Sequence, residues 1–269
     1  MSEVPTDWKK VKICEVIKEM TSGQSPNRME HQARNGEKGI LKTTAIQWGR
    51  FLPSENLEAL PGFEAKESTI VRKNDILITK AGPSHRVGVV AFSKEDTKNL
   101  YVSGKMAIIR THKEVDPLFL AYQISHSAFQ RQLLVDITGM AQSQTNFTHD
   151  NFLSKEIFIP QLREQQKIAE VISSIDKTIE TSKILINKLR ILKNSLRINI
   201  LRKGLSSKKW KTYSLKDISE IIDSLHITPS FCEKGFPMVR VSDIKTGNLS
   251  LTSTKKVSNQ VFDKFVKKY

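Results

Sequence analysis

The sequence predicts an α+β fold in which a mixed α/β module is followed by a long coiled-coil helix and a partial second copy of the module. Two observations lead to this prediction. The segment that begins at Trp8 has a counterpart at Trp210, and residues 40–51 align without a gap on residues 238–249. Between the copies, apolar residues recur every three or four positions over residues 168–200, which is the pattern of a coiled-coil seam.

These patterns place the first module at residues 1–159, the helix at residues 160–204 and the partial second copy at residues 205–269. A duplicated module joined by a long helix indicates a protein that presents two similar surfaces at a set distance.

The first module is predicted to mix helix and strand. Residues 8–20 suit a short amphipathic helix or a strand followed by a turn, and residues 116–135 have apolar side chains at helical spacing. We therefore expect an α+β domain on an irregular, antiparallel sheet. Its strand-like runs are residues 39–46, 69–71, 75–79, 86–92, 106–110 and 157–159.

The connecting segment predicts a helix that needs a partner. Pro160 suits its start and Gly204 its end, and about forty residues at 1.5 Å each give a rod of roughly 60 Å. The polar seam residues Ser182 and Lys193 either select the register or partner, or lie where pairing is loose. The seam positions, most of them Ile or Leu, are Ile168, Ile172, Ile175, Ile179, Ser182, Ile186, Leu189, Lys193, Leu196 and Ile200.

The charge of the chain indicates a polyanionic partner. The formal net charge is +15, and residues 160–211 carry 13 Lys and Arg against 4 Asp and Glu. No acidic residue lies between Glu180 and Asp217. Such a basic stretch is typical of a nucleic-acid contact; the alternative is a solvated helix face whose long cationic side chains cover apolar neighbours.

The composition also excludes several classes of protein. No apolar run approaches the roughly 18 residues of a membrane-spanning helix, and the N-terminus is acidic rather than a basic leader. We therefore expect a cytoplasmic protein without a membrane segment. Cys14 and Cys232 do not occupy matched positions in the two copies, and the histidines lack ligand spacing, so neither a disulfide framework nor a metal site is predicted.

Two loops of the first module have side chains suited to DNA. Residues 79–86 contain hydroxyl, ammonium, imidazole and guanidinium groups, which suit phosphate contacts and guanine reading by Lys80 or Arg86. Residues 142–146 offer amides that can bond an adenine edge. The alternative for either loop is a solvent-exposed segment bonded to itself.

Motifs of catalysis are missing from the sequence. Residues 36–39 lack the spacing of a phosphate-binding loop, and no Asn-Pro-Pro-aromatic or Asp-Pro-Pro-aromatic segment of an adenine methyltransferase occurs. Asp75 and Lys80 match fragments of a metal-dependent nuclease site, but Ile78 stands where the second acidic residue is needed. The sequence therefore predicts a non-catalytic protein, and we assign no catalytic residue and no metal ligand.

At this point the chain resembles the specificity (S) subunit of type I restriction-modification systems. The resemblance lies in the Trp8 segment, in residues 74–82 followed by Val87-Gly88-Val89-Val90, and in residues 139–142 leading to residues 157–160. Most telling is Pro160-Gln161-Leu162-Arg163-Glu164-Gln165-Gln166-Lys167-Ile168-Ala169, which is similar to the entry into the family's spacer helix.

The resemblance implies a DNA reader without an active site. In the family, each target recognition domain reads one half of a split sequence in double-stranded DNA, and the spacer helices set the gap. Modification subunits with S-adenosylmethionine methylate adenine at N6 after flipping it, and a restriction subunit that uses ATP and Mg²⁺ cuts; this chain is expected to bind no cofactor. The resemblance makes candidate DNA contacts of Lys80, Ser84, His85, Arg86, Gln142, Gln144 and Asn146, and candidate helix or subunit contacts of Glu164, Gln165, Ile168, Ile172, Ile175 and Ile179.

The chain departs from the family pattern in having one complete recognition domain, one spacer helix and a partial second domain. We therefore predict antiparallel pairing with a second copy of the chain, a homodimer that would favour a palindromic split target. Three alternatives stay open: an inactive truncated specificity subunit, one fragment of a split subunit, and a coiled-coil scaffold that binds nucleic acid without sequence specificity or serves as a protein dock.

Overall fold

The computed structural model describes residues 5–34, 36–135, 138–141, 144–207, 210–220, 227–245, 248–249, 251 and 254–266. The chain divides into two compact units, Met1–Lys188 and Leu189–Tyr269. The helices are α1 (Ile13–Val16), α2 (Pro117–Ser125), α3 (Ser127–Val135), α4 (His149–Leu153), α5 (Leu162–Leu205), α6 (Leu215–Ile218) and α7 (Asn259–Val266).

The strands are short, and several of them pair with strands that are distant in the sequence. In chain order they are β1 (Lys9–Lys12), β2 (Ile17–Ser22), β3 (Gly39–Leu41), β4 (Ile46–Gln47), β5 (Arg50–Phe51), β6 (Asn56–Glu58), β7 (Ile76–Thr79), β8 (Ala81–Gly82), β9 (Val90–Phe92), β10 (Leu100–Tyr101), β11 (Met106–Thr111), β12 (Thr138–Ala141), β13 (Gln144–Asn146), β14 (Glu156–Ile159), β15 (Phe236–Met238), β16 (Ile244–Lys245), β17 (Asn248–Leu249) and β18 (Lys255–Val257).

The first unit is built on an antiparallel sheet of order β2-β11-β7-β9. Successive side chains of a strand point to opposite faces. Ile76 and Ile78 of β7 accordingly join one buried cluster, whereas Leu77 joins another. Both faces of the sheet are covered, which explains why β7 and β11 are apolar almost throughout.

Helices cover one face of this sheet and irregular segments cover the other. On the helical face, the Phe152 ring contacts those of Phe129 and Phe147, each with a centroid separation of 5.6 Å. Leu41 and Ile46 are fully buried on the opposite face. The predicted α+β fold is therefore confirmed.

The helix predicted over residues 116–135 is divided into α2 and α3 at His126, whose backbone is extended. The Asp116 side chain begins α2 by accepting the Phe119 N–H at 2.8 Å. The buried side-chain amide of Gln130 stabilises the break between the two helices, because its Nε2 donates to Ile124 O at 2.7 Å and to Gly88 O at 3.0 Å. Helical spacing in the sequence continues across this break, so periodicity alone did not reveal it.

Some predicted strands are shorter or absent. The run over residues 86–92 becomes a strand only at Val90, because Ser84–Arg86 forms a 3₁₀ turn and Gly88 has a φ of 82°. The strand predicted at residues 69–71 is wrong. A 3₁₀ turn occupies Glu67–Thr69, and Ile70 makes a single bridge with Tyr101.

Helix α5 confirms the long helix predicted over residues 160–204. It has 44 residues and rises about 66 Å at 1.5 Å per residue. Each side chain from residue 181 to residue 203 is exposed. In the part of the chain that the structure describes, the apolar side chains in the second half of the helix are therefore left uncovered.

The second unit repeats the local structure of the first. α6 matches α1, and each has an acidic side chain that accepts a backbone N–H at the helix start: Glu15 from Lys12 at 2.7 Å, and Asp217 from Ser214 at 3.1 Å. β15 pairs antiparallel with β18 as β3 pairs with β6. The hairpin of β16 and β17 likewise corresponds to that of β4 and β5. The internal repeat seen in the sequence is therefore also a structural repeat.

Candidate nucleic-acid interface

The two loops predicted to contact DNA lie side by side in a small sheet of order β12-β13-β8. Ala81 pairs with Asn146 and Gly82 pairs with Thr145, in antiparallel register. The Thr145 hydroxyl also donates to Gly82 O at 3.2 Å. Strand pairing therefore combines segments about sixty residues apart in the sequence into one surface.

The predicted contact residues differ in their surroundings. Ser84 and His85 are exposed in the 3₁₀ turn after β8, and Asn146 is exposed at the end of β13. Gln142 and the Gln144 side chain lie outside the described residues. Ser84, His85 and Asn146 are therefore accessible to DNA, and their contact with bases stays a prediction.

Arg86 has a structural role in addition to its predicted one. Its guanidinium donates to the carbonyl oxygens of Thr43 and Ile46, at 2.5 and 2.6 Å. These bonds attach the turn after β8 to the segment that begins β4. Reading of guanine by Arg86 stays a prediction and would require the side chain to release these carbonyls.

Lys80 lies in a cluster with two residues from elsewhere in the chain. Its Nζ donates to Ser22 Oγ at 2.8 Å, and Ser22 Oγ is 2.9 Å from His149 Nε2. An ammonium group has no acceptor atom, so the Ser22 hydroxyl accepts from Lys80 and can direct its own proton to His149. When the proton of the His149 ring is on Nδ1, the hydrogen bonds run from Lys80 through Ser22 to His149 Nε2.

The pKa values agree with this direction. Burial lowers the pKa of Lys80. Burial and then the positive charge of Lys80 lower the pKa of His149, whereas Asp150 acts in the opposite direction. Both shifts disfavour the charged forms, as expected where basic groups share a partly buried site.

The first part of α5 is held against the same domain. The buried Gln165 side chain donates through Nε2 to Pro160 O at 2.8 Å and to Glu114 O at 3.3 Å, and its Oε1 accepts the Asp116 N–H at 2.9 Å. The Trp8 indole donates to the Glu164 carboxylate at 3.2 Å. These contacts attach the start of the helix to the start of α2 and to the N-terminal segment.

Two further contacts follow along α5. The Tyr122 hydroxyl donates to Asp176 at 2.8 Å, and Arg50 lies 3.5 Å from Glu180. Burial and the Asp176 carboxylate raise the pKa of Tyr122. Together with Glu164, three of the four acidic residues of the helix thus contact the domain that carries the two candidate loops.

The residues predicted to contact a second helix or another subunit fall into two groups, those that bond to their own domain and those that do not. Glu164 and Gln165 bond to their own domain. Ile168 and Ile172 are partly buried, and Ile175 and Ile179 are 53% and 47% exposed. Contact of these residues with another subunit stays a prediction.

Comparison with known proteins identifies the family. Residues 5–190 match the family model described as type I restriction modification DNA specificity domain. The chain belongs to this family. The match covers the domain with the two loops and the part of α5 that is attached to it.

Two curated relatives are named as specificity subunits of type I restriction enzymes. The chain is 31% identical over 186 residues to the type I restriction enzyme EcoEI specificity subunit of Escherichia coli, a match that covers 67% of the chain and 31% of the relative. It is 25% identical over 269 residues to the type I restriction enzyme MjaVIII specificity subunit of Methanocaldococcus jannaschii, which covers 91% of the chain and 57% of that relative. The chain thus spans between about a third and three fifths of these relatives.

A solved structure supports the fold. A chain from a structure on complex assembly and conformational transition of the type I R-M system superposes with a TM-score of 0.50 at 18% sequence identity. The superposition covers 75% of this chain and 46% of that one.

In the part of the chain that the structure describes, no group of three or more His, Cys, Asp or Glu side chains is arranged to hold a metal ion. None of the helices in these residues combines the length and apolarity needed to cross a membrane.

Sequence reasoning missed Ser22 and His149 of the specificity domain. Ser22 lies just after the segment interpreted as a short helix or strand, and His149 has no ligand spacing with another histidine. The two residues are 127 positions apart, and Ser22 and Lys80 are 58 apart. Nothing in the local sequence signals such a contact, because it depends on how β2, β7 and α4 pack.

The Lys80 cluster leads to a prediction for His149. Replacing Lys80 with Gln should raise the pKa of His149, because the nearby positive charge is removed while its hydrogen-bonding ability is kept. The pKa should stay below the ordinary histidine value, since burial still opposes protonation. An NMR titration of the His149 ring measures it. Lys73→Gln changes an exposed lysine that precedes β7, whereas Lys80 follows it, and should leave the pKa of His149 unchanged. Equal pKa values of His149 in Lys80→Gln and in the unmodified chain would contradict the effect of the Lys80 charge on His149.

Proposed function

We propose that this chain is the DNA-recognition subunit of a type I restriction-modification complex and directs partner subunits to a bipartite DNA target. The observation that carries this proposal is the family match over residues 5–190. The two curated relatives described above are both named specificity subunits. The chain would act on double-stranded DNA in the cytoplasm and would itself be non-catalytic.

The surface formed by β8 and β13 supports this role. It places the exposed Asn146 at the end of β13, next to β8, and the exposed Ser84 and His85 in the turn that follows β8. Such groups can bond base edges in the major groove, while lysine and arginine side chains contact phosphates. The formal net charge of +15 favours association with DNA as well.

The reactions are assigned to other chains. We propose that modification subunits carrying S-adenosylmethionine methylate adenine at N6, and that a restriction subunit uses ATP and Mg²⁺ to cut. The contacts that attach α5 to the recognition domain support a positioning role, because they set where a subunit docked on the helix lies relative to the DNA surface.

A genome comparison tests the proposed function. Mapping N6-methyladenine with and without this gene should show a bipartite motif whose methylation disappears when the gene is removed. The purified chain should also select duplexes with that motif from a random library at physiological salt. An unchanged methylation map would contradict the specificity role. Equal affinity for all duplexes, with steep salt dependence only, would favour a nonspecific nucleic-acid scaffold.

We also propose that α5 pairs in antiparallel fashion with α5 of a second copy. Leu189, Leu196 and Ile200 lie along the predicted seam and are 54%, 52% and 62% exposed. Burial of such a row of apolar side chains under a partner helix is stabilising. Two identical recognition domains would then favour a palindromic split target.

A seam variant tests this pairing. Leu189→Glu with Leu196→Glu should raise the dissociation constant of the dimer at least about tenfold, since 1.4 kcal/mol of lost pairing free energy is a factor of ten. Sedimentation equilibrium measures the change. Lys188→Glu with Ser195→Glu, one residue earlier at the same spacing, should leave pairing intact. An unmodified chain that stays monomeric at all concentrations while binding DNA specifically would contradict the homodimer.

A further inference from the structure

We propose that Lys80, Ser22 and His149 form a binding site for a phosphodiester group of the DNA backbone. This inference rests on the proposed DNA-recognition function and adds two residues to the interface that neither the sequence patterns nor the family match assign. The three side chains come from three places in the fold: the end of β2, the residue between β7 and β8, and the first residue of α4.

The geometry leaves the ammonium group able to bind an anion. Lys80 Nζ has three N–H donors, and among the hydrogen bonds of the described residues one goes to Ser22 Oγ. The backbone around Lys80 is held firmly, because its N–H donates to Lys105 O at 2.8 Å and its carbonyl accepts from Phe147 N at 3.3 Å. The lysine is therefore fixed in place with donors left for phosphate oxygens.

The charges at the cluster also favour an anionic ligand. Arg110, another partly buried cation of the same domain, is held by the carboxylate of Asp75 through two hydrogen bonds of 2.8 and 3.0 Å. Lys80 bonds to a neutral hydroxyl instead, and beyond that hydroxyl lies an imidazole. A partly buried cation is costly when, as for Lys80 among the described residues, no carboxylate pairs with it, and a phosphate would offset that cost.

Ser22 and His149 adapt the site to an anion. With the His149 proton on Nδ1, the Ser22 hydroxyl donates to His149 Nε2 while it accepts from Lys80. A phosphate beside Lys80 would offset the positive charge that lowers the pKa of His149, and Asp150 acts in the same direction as the phosphate. His149 should therefore take up a proton more readily in the DNA complex than in the free chain.

The position of the cluster fits a phosphate rather than a base. Lys80 directly precedes β8, whose partner β13 ends at the exposed Asn146. Phosphate contacts fix the register of a protein on DNA, whereas base contacts specify its sequence. We infer that Lys80 holds the duplex in register while the neighbouring exposed side chains face the bases.

Salt dependence of DNA binding tests the site directly. The logarithm of the observed association constant for DNA falls linearly with the logarithm of the salt concentration. In Lys80→Gln this slope should be smaller in magnitude by about 0.9, the value for one phosphate contact. The affinities for a selected duplex and for a duplex of random sequence should fall by the same factor. The matched control Lys73→Gln should keep the slope of the unmodified chain, and Lys80→Arg should restore it. An unchanged slope in Lys80→Gln, or a loss confined to the selected duplex, would overturn the proposal.

A second measurement needs no variant of Lys80. The NMR titration of His149 in the unmodified chain should give a higher pKa with the random duplex bound than without it, and Ser22→Ala should reduce this difference. An identical pKa in the free and bound chain would overturn the role of His149. If the unmodified chain binds selected and random duplexes equally, the specificity function fails, while the slope comparison still decides whether Lys80 contacts a phosphate.

Discussion

Replacing Arg110 with Met should lower the free energy of unfolding by about 3–5 kcal/mol, the cost of breaking a buried ion pair from one side. Asp75 is 2% exposed, and its carboxylate accepts two hydrogen bonds from Arg110 and one from the Arg72 backbone. Removing the guanidinium leaves the buried carboxylate with the Arg72 N–H as its one hydrogen-bond donor among the described residues. Arg110 also donates to Ile70 O at 3.2 Å, so the variant loses a link between β11 and the segment that precedes β7.

Denaturant titration at neutral pH, followed by circular dichroism, measures this effect. Arg72→Met is the matched control, because Arg72 pairs with Glu67 on the surface, where the side chains are 50% and 87% exposed. Exposed pairs contribute about 0–1 kcal/mol. Similar unfolding midpoints for the two variants would show that the Arg110 pair does not stabilise the domain as its burial indicates.

Replacing Gln165 with Leu should destabilise the attachment of α5 by about 3 kcal/mol, at roughly 1 kcal/mol for each of three hydrogen bonds. The Asp116 N–H and the carbonyls of Pro160 and Glu114 lose their side-chain partner. We expect a functional effect as well. A helix less firmly attached to the recognition domain should accept a wider range of spacings between the two halves of a target.

Two measurements separate these effects. Hydrogen exchange at the Asp116 amide should accelerate by about two orders of magnitude, since 1.4 kcal/mol corresponds to a factor of ten. Selection from a library of duplexes that vary in spacing should give a broader distribution. Gln166→Leu, at the exposed neighbouring position, is the control and should change neither. A narrow distribution together with faster exchange would show that Gln165 stabilises the helix without controlling spacing.

These contacts suggest how charge is divided along α5. Glu164, Asp176 and Glu180 bond to the domain, and from Glu180 to Asp217 the chain contains no acidic residue. These three acidic side chains of the helix thus pair with residues of their own chain. The basic part that follows is exposed up to residue 203, together with its apolar side chains.

Features that depend on neighbours along the chain could be predicted from the sequence. The regular spacing of Ile and Leu predicted α5, and the similarity of residues 40–51 to residues 238–249 predicted a repeated module, in which the structure shows matching hairpins. Such patterns follow from the period of a helix or strand, so they are visible without a structure. The prediction failed at residues 69–71 and at the break between α2 and α3, where the turn at Glu67–Thr69 and the buried amide of Gln130 decide the backbone.

The linear order of residues was sufficient to establish the α+β class, the long helix, the internal repeat and the resemblance to specificity subunits. Tertiary structure alone decided that the two candidate loops share a sheet, that Arg86 bonds to the Thr43 and Ile46 carbonyls, and that Ser22 and His149 join Lys80. The physical reason is that periodicity and motifs report local geometry, whereas these contacts depend on strand register and packing between residues tens of positions apart.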